Sequence, residues 1–317
     1  SLQNKLAKPV FSSKGLTQVL ETEDFDAWSS VVGAQLGEHR SHLQTPASSF
    51  ICRIHHGDGA GLPLLHLHGS SKIALHRVQA PTHAVLWLPL HGLSLEEVNG
   101  TEHVAQPGMA MLLRPGDVLN GQTSRQIEGI SILLPADRVR PGLPTLLHRG
   151  PADRALIQAA NAFAQVTAAP KLGSAHAGAA LLDALETWQL AMERKRDGQP
   201  EPVKAQRRRQ TVADARQWML EHLDEAFEIS AVAKAVAVSI RTLQYAFLQE
   251  LGLTPMAEAK RLRLQHLHQL LLDRSLSHMS IAELMVSCGL LACGSTSAAY
   301  CHYFGETPRQ TRLAPLT

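Results

Sequence analysis

Ser239-Ile240-Arg241-Thr242-Leu243-Gln244-Tyr245-Ala246-Phe247, closed by Leu251-Gly252-Leu253-Thr254-Pro255, is the stretch whose reading decides the fold of this chain. Ser239 offers an oxygen to the free N–H groups at a helix start. Ile240, Leu243, Ala246 and Phe247 recur at steps of three and four, which makes one apolar stripe. Gly252 ends the helix, and Pro255 lies just beyond it. Offset by 53 residues, the pattern returns: Leu251 to Pro255 falls on Phe304-Gly305-Glu306-Thr307-Pro308, Phe247 on Tyr300 and Leu243 on Thr296. A short helix through Val236, which Ser230 can cap, precedes the first copy. Ser280 opens the corresponding helix before the second, ending near Gly289. A long helix from Ala257 to Asp273, with Leu262, Leu267, Leu270 and Leu271, joins them. The spacing predicts two helix-turn-helix units on one connecting helix.

The far side of the first helix carries Arg241, Gln244 and Tyr245. A core-facing helix has no use for three long polar side chains on one arc. A helix in a DNA major groove has, because Arg bonds in pairs to guanine and Gln to adenine. The plain alternative is a solvated face, and the doubling of the motif weighs against it. Ser239 and Thr242, at the helix start, join the DNA-contact candidates. In the second copy the positions matching Arg241, Gln244 and Tyr245 are Gly294, Ser297 and Ala298, with Ser295 beside them. These side chains are too short for paired base contacts. The expectation is that the first unit reads bases while the second grips phosphates, touches thymine methyls or follows DNA shape. Arg207, Arg208, Arg209, Lys260, Arg261 and Arg263 are candidates for phosphate contact, against the alternative of a solvated face or a helix salt bridge.

The whole chain has 317 residues, 44% hydrophobic and 18% charged, and a net charge of only +2. That length suggests about two domains with real cores. No apolar run approaches the ~18–20 residues of a membrane span. The first 20 residues lack a charged-then-apolar signal pattern. Four cysteines make no disulfide framework, so a cytoplasmic protein without membrane association is expected. From residue 203 onward there are 13 Lys and Arg against 10 Asp and Glu, so the mild basicity lies at the carboxyl end. Eleven of the 17 histidines lie in residues 1–150.

Residues 46–135 read as short strands (Val85 to Leu88, Met109 to Leu113, Ile130 to Leu134) between turn signals such as Asn99-Gly100 and Pro115-Gly116-Asp117. From Asp153 the period becomes helical, with Leu181, Leu182, Leu185, Trp188 and Met192 on one stripe. The expected fold class is α+β in two domains. The boundaries are 1–150 for a β-barrel, 151–197 for a helical segment, 198–210 for a linker and 211–317 for the paired helix-turn-helix part, whose first helix starts at a capping Thr211.

The stretch 229–312 resembles the DNA-binding domain of the AraC/XylS family of bacterial transcription regulators. Ser239 to Phe247, Leu251 to Pro255, Arg261 to Leu264, Ser280 to Glu283, Cys288-Gly289 and Tyr303 to Pro308 carry the likeness. Two departures stand out: Ala237 replaces the usual turn glycine, and Leu290 a usual phenylalanine. Residues 16–135 resemble the sensor half of the XylS-like branch, through Leu20 to Trp28, Gln106-Pro107-Gly108, Pro115-Gly116-Asp117 and Ile132 to Pro135. The resemblance implies a cupin-like barrel that binds a small effector, helices that form a homodimer, two reading helices in successive major grooves and activation through RNA polymerase. An aromatic carboxylate is the effector class it suggests. Effector-binding candidates are Arg53, His55, His66, His68, His76, Arg77 and His91. On alternating strands His66 and His68 share one face, as do His76 and Val78, with Arg77 pointing the other way.

His66-Leu67-His68 also invites a metal reading. Lys72 stands where a cupin metal site wants a glutamate, and Asp117, Val118 and Asn120 stand where it wants a later histidine. We therefore expect no metal, no cofactor and no catalytic residue. P-loop, zincin, nucleophile-elbow and Rossmann patterns are absent from the sequence. Cys288, Cys293 and Cys301, spaced unlike any zinc finger, read as small buried fillers. The competing readings are a metal-dependent cupin enzyme fused to a DNA-binding tail, and a regulator governed by a protein partner or a nucleotide.

Overall fold

The computed structural model describes residues 6–148, 150–169, 173–198 and 202–314. The chain divides into two compact units, one built mainly from residues 1–148 and 152–197, the other mainly from 198–301 and 306–317.

The first unit holds twelve strands among the described residues: β1 Thr17–Thr22, β2 His39–Leu43, β3 Ile51–Gly59, β4 Leu62–Ser70, β5 Ile73–Val78, β6 His83–His91, β7 Ser94–Val98, β8 Thr101–Ala105, β9 Ala110–Leu113, β10 Val118–Thr123, β11 Gln126–Pro135 and β12 Leu146–Leu147. They form a seven-stranded sheet, ordered β1-β3-β4-β11-β6-β9-β12, and a five-stranded sheet, ordered β2-β5-β10-β7-β8. Neighbouring strands are antiparallel throughout. The cupin-like barrel is open, because among the described residues no ladder joins one sheet to the other. Leu65, Val85, Met111 and Leu133 of the larger sheet meet Ile73, Val98 and Leu119 of the smaller one. Helix α1, Phe25–Leu36, adds Trp28, Val32 and Leu36 to this core, and Asp24 caps it by accepting from the Asp26 and Ala27 N–H groups.

The opposite face of the larger sheet is buried too. Its Leu64, Leu86, Leu88, Ile130 and Ile132 pack with Leu156 and Phe163 of α2, Pro151–Thr167, and with Leu181, Leu185 and Trp188 of α3, Ala175–Arg196. Burial on both faces explains the near-continuous apolar runs of β6 and β11. Trp188 Nε1 donates to Asp153 at 2.8 Å, and Arg140 pairs with Glu186 and Glu193, which pins α3 in register.

The second unit is helical: α4 Val203–Glu221, α5 Ile229–Ala235, α6 Ile240–Leu251, α7 Pro255–Leu272, α8 Ile281–Ser287, α9 Gly294–Phe304 and α10 Pro308–Leu313. Two sequence expectations shift here. Residues 203–210, read as linker, are the first turns of α4, which begins after Pro202 rather than at Thr211. Lys, Ala, Gln and Arg are good helix formers, and they outweigh the polarity that suggested a loop. Residues 199–201 of that linker lie outside the described residues. Helix α5 starts two residues earlier than the Ser230 cap implies, with Glu228 at its N-cap position. Among the described residues no single helix is long and apolar enough to cross a membrane.

Candidate functional site

The internal repeat is a repeat of capping chemistry. Ser239 Oγ accepts from the Thr242 N–H at 3.0 Å and starts α6, and Gly252 closes it at φ 66°. Thr254 and Thr307 each accept a backbone N–H three residues on, each ahead of a proline in the helix's first turn. Ser280 and Glu283 form a reciprocal capping box on α8. Leu243, Ala246 and Phe247 of α6 are buried against Val212, Ala215 and Met219 of α4 and Ala259 and Leu262 of α7. In the second copy Tyr300 takes the place of Phe247 as the buried anchor, and its hydroxyl lies 2.8 Å from Thr311 Oγ1.

The arc of α6 opposite this core is open to solvent. Arg241, Thr242, Gln244 and Tyr245 are exposed, as is Ser239. Arg241 makes no ion pair among the described residues, so its guanidinium is free to bond a base edge. On α9 Gly294, Ser295 and Ala298 are exposed and Ser297 half-buried. From Ile281 to Gly305 the chain has neither lysine nor arginine. The second helix-turn-helix pair, α8 and α9, therefore carries no lysine or arginine with which to grip phosphates.

Arg261 is not available for DNA. It is buried, and its Nε and Nη2 bond the two oxygens of Glu258 at 2.7 and 2.6 Å. Arg216 Nε reaches the same carboxylate at 2.9 Å, and Glu258 is itself buried. Arg208 pairs with Glu250, and Arg263 stacks on Phe227 while donating to the Leu223 and Glu225 carbonyls. These arginines hold the unit together. Arg207, Arg209 and Lys260 are exposed.

The turn of the first unit is strained. Ala237 sits at φ 54°, where Gly289 occupies the second turn at φ 69°. A side chain in this region costs about 1 kcal/mol. Ala237→Gly is therefore expected to stabilise the unit by about 1 kcal/mol and to raise the melting temperature by a few degrees, read by thermal denaturation. Position 289, by contrast, is closed to any residue but glycine, because a Cβ there would stand 2.6 Å from the Leu223 carbonyl oxygen.

Five of the seven effector candidates come together, and His76 and Arg77 lie elsewhere. Arg53, His55, His66, His68 and His91 lie on the face of the larger sheet that α2 and α3 also cover, as the register of β3, β4, β11 and β6 requires. Arg53 is paired with Glu21 at 2.9 Å. His66 Nε2 lies 2.9 Å from Glu128, a buried carboxylate that also accepts from the Val10 and Phe11 N–H groups at 2.7 and 2.8 Å. Burial alone would raise the Glu128 pKa; these hydrogen bonds overcome it and hold it below the usual range. His76 is exposed on the outer face of the smaller sheet, with Asn120 at 2.7 Å. Arg77 alone points between the sheets. Among the described residues no three His, Cys, Asp or Glu side chains are placed to hold a metal ion.

The AraC-binding-like domain model matches residues 28–191, more than half of the chain, and the helix-turn-helix domain model matches residues 232–314. The chain belongs to the AraC family. The HTH-type transcriptional activator RhaS of Escherichia fergusonii is 35% identical over 95 residues, 30% of this chain and 33% of that protein. The HTH-type transcriptional regulator ArgR of Pseudomonas aeruginosa is 34% identical over 91 residues, 29% of this chain and 27% of that protein. The chain thus spans about a third or less of the curated relatives it matches. Among solved structures, a transcriptional regulator from Chromobacterium violaceum with an AraC-type DNA-binding domain is 31% identical, covers 33% of this chain and 90% of its own, and has a TM-score of 0.31. The AraC-like transcriptional activator CuxR is 14% identical over 79% of this chain and 93% of its own, with a TM-score of 0.44.

Two features of this AraC-family chain escaped the sequence reading. Cys293 is exposed rather than a core filler; it directly precedes α9, unlike the buried Cys288. Hydrogen bonds with Ser295 and Thr296 lower its thiol pKa to about 7, whereas burial raises Cys288 to about 11 and Cys52 to about 12. Cys293 is expected to react with iodoacetamide at a rate half-maximal near pH 7, with Cys52 and Cys288 inert until the chain unfolds; peptide mapping by mass spectrometry checks this. The second feature is the set of neutral histidines in the first unit. Burial lowers His68 to about 4, and burial first also lowers His55 and His83. The unfolded chain takes up protons near the ordinary value of 6.5 and these folded groups do not. The stability that neutral His68 contributes therefore falls as pH drops from about 6.5 towards 4, by about 2 kcal/mol at pH 5, while the buried Glu96 acts in the opposite sense. Going from pH 7 to pH 5, the melting temperature of His68→Gln should rise relative to wild type, and a difference that does not change with pH would contradict this.

Proposed function

We propose that the chain is a transcription regulator that binds duplex DNA at chosen sequences and is switched by a small effector held in its N-terminal unit. The observation that carries this reading is the open arc of α6, where Arg241, Gln244 and Tyr245 stand clear of solvent-excluding neighbours on a helix locked by its buried stripe. Guanidinium and carboxamide groups at that spacing match the acceptor and donor edges of guanine and adenine. The first helix-turn-helix unit reads bases. The second, with Gly294, Ser295, Ser297 and Ala298 on its surface, follows backbone and groove shape. Residues 1–150 form the sensing part, 151–197 the helices through which two copies pair, and 211–317 the DNA-binding part. RhaS is described as an activator, and we extend that sign, with contact to RNA polymerase, to this cytoplasmic chain. An effector can shift DNA affinity only by binding one state of the protein better than the other.

Gel-shift assays across promoter fragments at moderate salt test the reading. A preferred fragment, bound about a hundredfold or more tighter than bulk DNA, is the expected result. Uniform binding to every fragment would overturn it.

A further inference from the structure

We propose that the N-terminal unit takes a small organic monoanion, a carboxylate, between its two sheets, with Arg77 as the partner of the charge and Glu96 as a second polar contact. The proposal rests on the reading of this unit as the effector-binding part, and names the residues and the ligand chemistry.

Arg77 is 6% exposed, on the inward face of β5 with Ile73 and Leu75. Its guanidinium makes no hydrogen bond and no ion pair among the described residues, and its Nε is buried without a partner. A buried cation is expensive to fold around, and proteins normally seat a carboxylate against it. The carboxylate whose charge acts on it is Glu96 on β7, whose Oε2 is also buried without a hydrogen-bond partner, yet the two do not meet as an ion pair among the described residues. The indole Nε1 of Trp87, facing the same layer from β6, is a third orphan.

Two strand glycines make the arrangement a built one. A Cβ at Gly121 would stand 2.1 Å from the Glu96 carboxylate, and a Cβ at Gly129 would stand 2.2 Å from the Trp87 ring. Glycine weakens a strand interior and marks close approach. Here it lets the Glu96 carboxyl and the indole lie flat, one on each sheet. Burial pushes Glu96 up to about 8, so at neutral pH its carboxyl keeps a proton. Arg77 N–H, Trp87 N–H and the Glu96 hydroxyl are then all donors, and Arg77 holds the one full charge. The complement of three donors and a single positive charge is a monoanion rich in acceptor oxygens. Leu75, Val98 and Leu119 in the same layer suit an apolar body behind the anion.

Differential scanning fluorimetry of the full chain tests this. Without added ligand, Arg77→Met is expected to melt at or above the wild-type temperature, because it removes an uncompensated charge. Acetate, propionate, isobutyrate and benzoate, each at about 10 mM and each set against its primary amide, are the probes. At least one carboxylate is expected to raise the wild-type melting temperature by about 2 °C or more while its amide does not. Arg77→Met should abolish that shift, and Arg77→Lys, which keeps the charge and loses the fork, should reduce it. A fall of more than about 5 °C in the unliganded Arg77→Met variant would make Arg77 structural and overturn the proposal. So would a wild type that responds to none of the carboxylates or equally to the amides, or a shift that survives Arg77→Met. Failure of the regulator reading shows separately, as absence of DNA preference in gel shifts, and leaves the melting result standing.

Discussion

Arg241→Ala is expected to weaken binding to the preferred operator about 10- to 100-fold, the ~1–3 kcal/mol of one paired base contact, and to relax selectivity at a single base pair. The reason is geometric. Arg241 occupies the first turn of α6, exposed and unpaired, on a helix whose other face is fixed by Leu243, Ala246 and Phe247. Truncation removes the base contact without disturbing that core. Its loss should fall on sequence choice more than on salt dependence, since a base contact releases no phosphate counterion. Ser297→Ala and Ala298→Gly, at the matching positions of α9, should change base preference little. Fluorescence anisotropy on an operator and its single-base variants measures all three. If either α9 variant relaxes base preference more than Arg241→Ala does, the assignment of base reading to the first unit is wrong.

The second large effect is on stability. Glu258 is buried at the start of α7 and serves two arginines: Arg261 through two hydrogen bonds, and Arg216 at 2.9 Å. Glu258→Ala would leave the buried Arg261 guanidinium without its counter-charge, at a cost of about 3–5 kcal/mol. Arg216→Ala, at a site 40% exposed, should cost no more than ~1 kcal/mol. Replacing Arg261 by Met in the Glu258→Ala background should recover much of the loss, because the uncompensated charge goes with it. Urea denaturation of the full chain reads these differences. A Glu258→Ala variant within about 1 kcal/mol of wild type would show that the cluster does not hold α7 in place.

The helix-turn-helix half was open to reading because its signals are local. Ser239, Gly252, Thr254 and Ser280 act within a turn of where they stand, and an apolar stripe with period 3.6 needs no partner to be recognised. Sequence alone puts Arg261 among the phosphate contacts, because a basic residue on a helix looks the same whether it faces DNA or a carboxylate. The clue was Glu258 three residues earlier, a spacing at which side chains meet. The α4 start is hidden because Arg207-Arg208-Arg209 suggests a loop where propensity favours a helix. In the sheet half, alternation separated Arg77 from His76 and paired His66 with His68, as the structure has them. Which face points between the sheets depends on pairings such as β4 with β11 and β5 with β10, between residues some 40 to 70 positions apart in the sequence. No local pattern records that. The open barrel is likewise a property of strand order, not of any one strand.

Selection of bound duplexes from a random-sequence pool by the full chain presupposes no operator and so probes base reading by α6 without bias. An enriched motif is expected, with its strongest positions clustered within one major-groove face and weak or no preference one helical turn away, and with one strong position lost in the Arg241→Ala selection. A pool that shows no enrichment, or a motif equally strong in both halves and unchanged by Arg241→Ala, would contradict it.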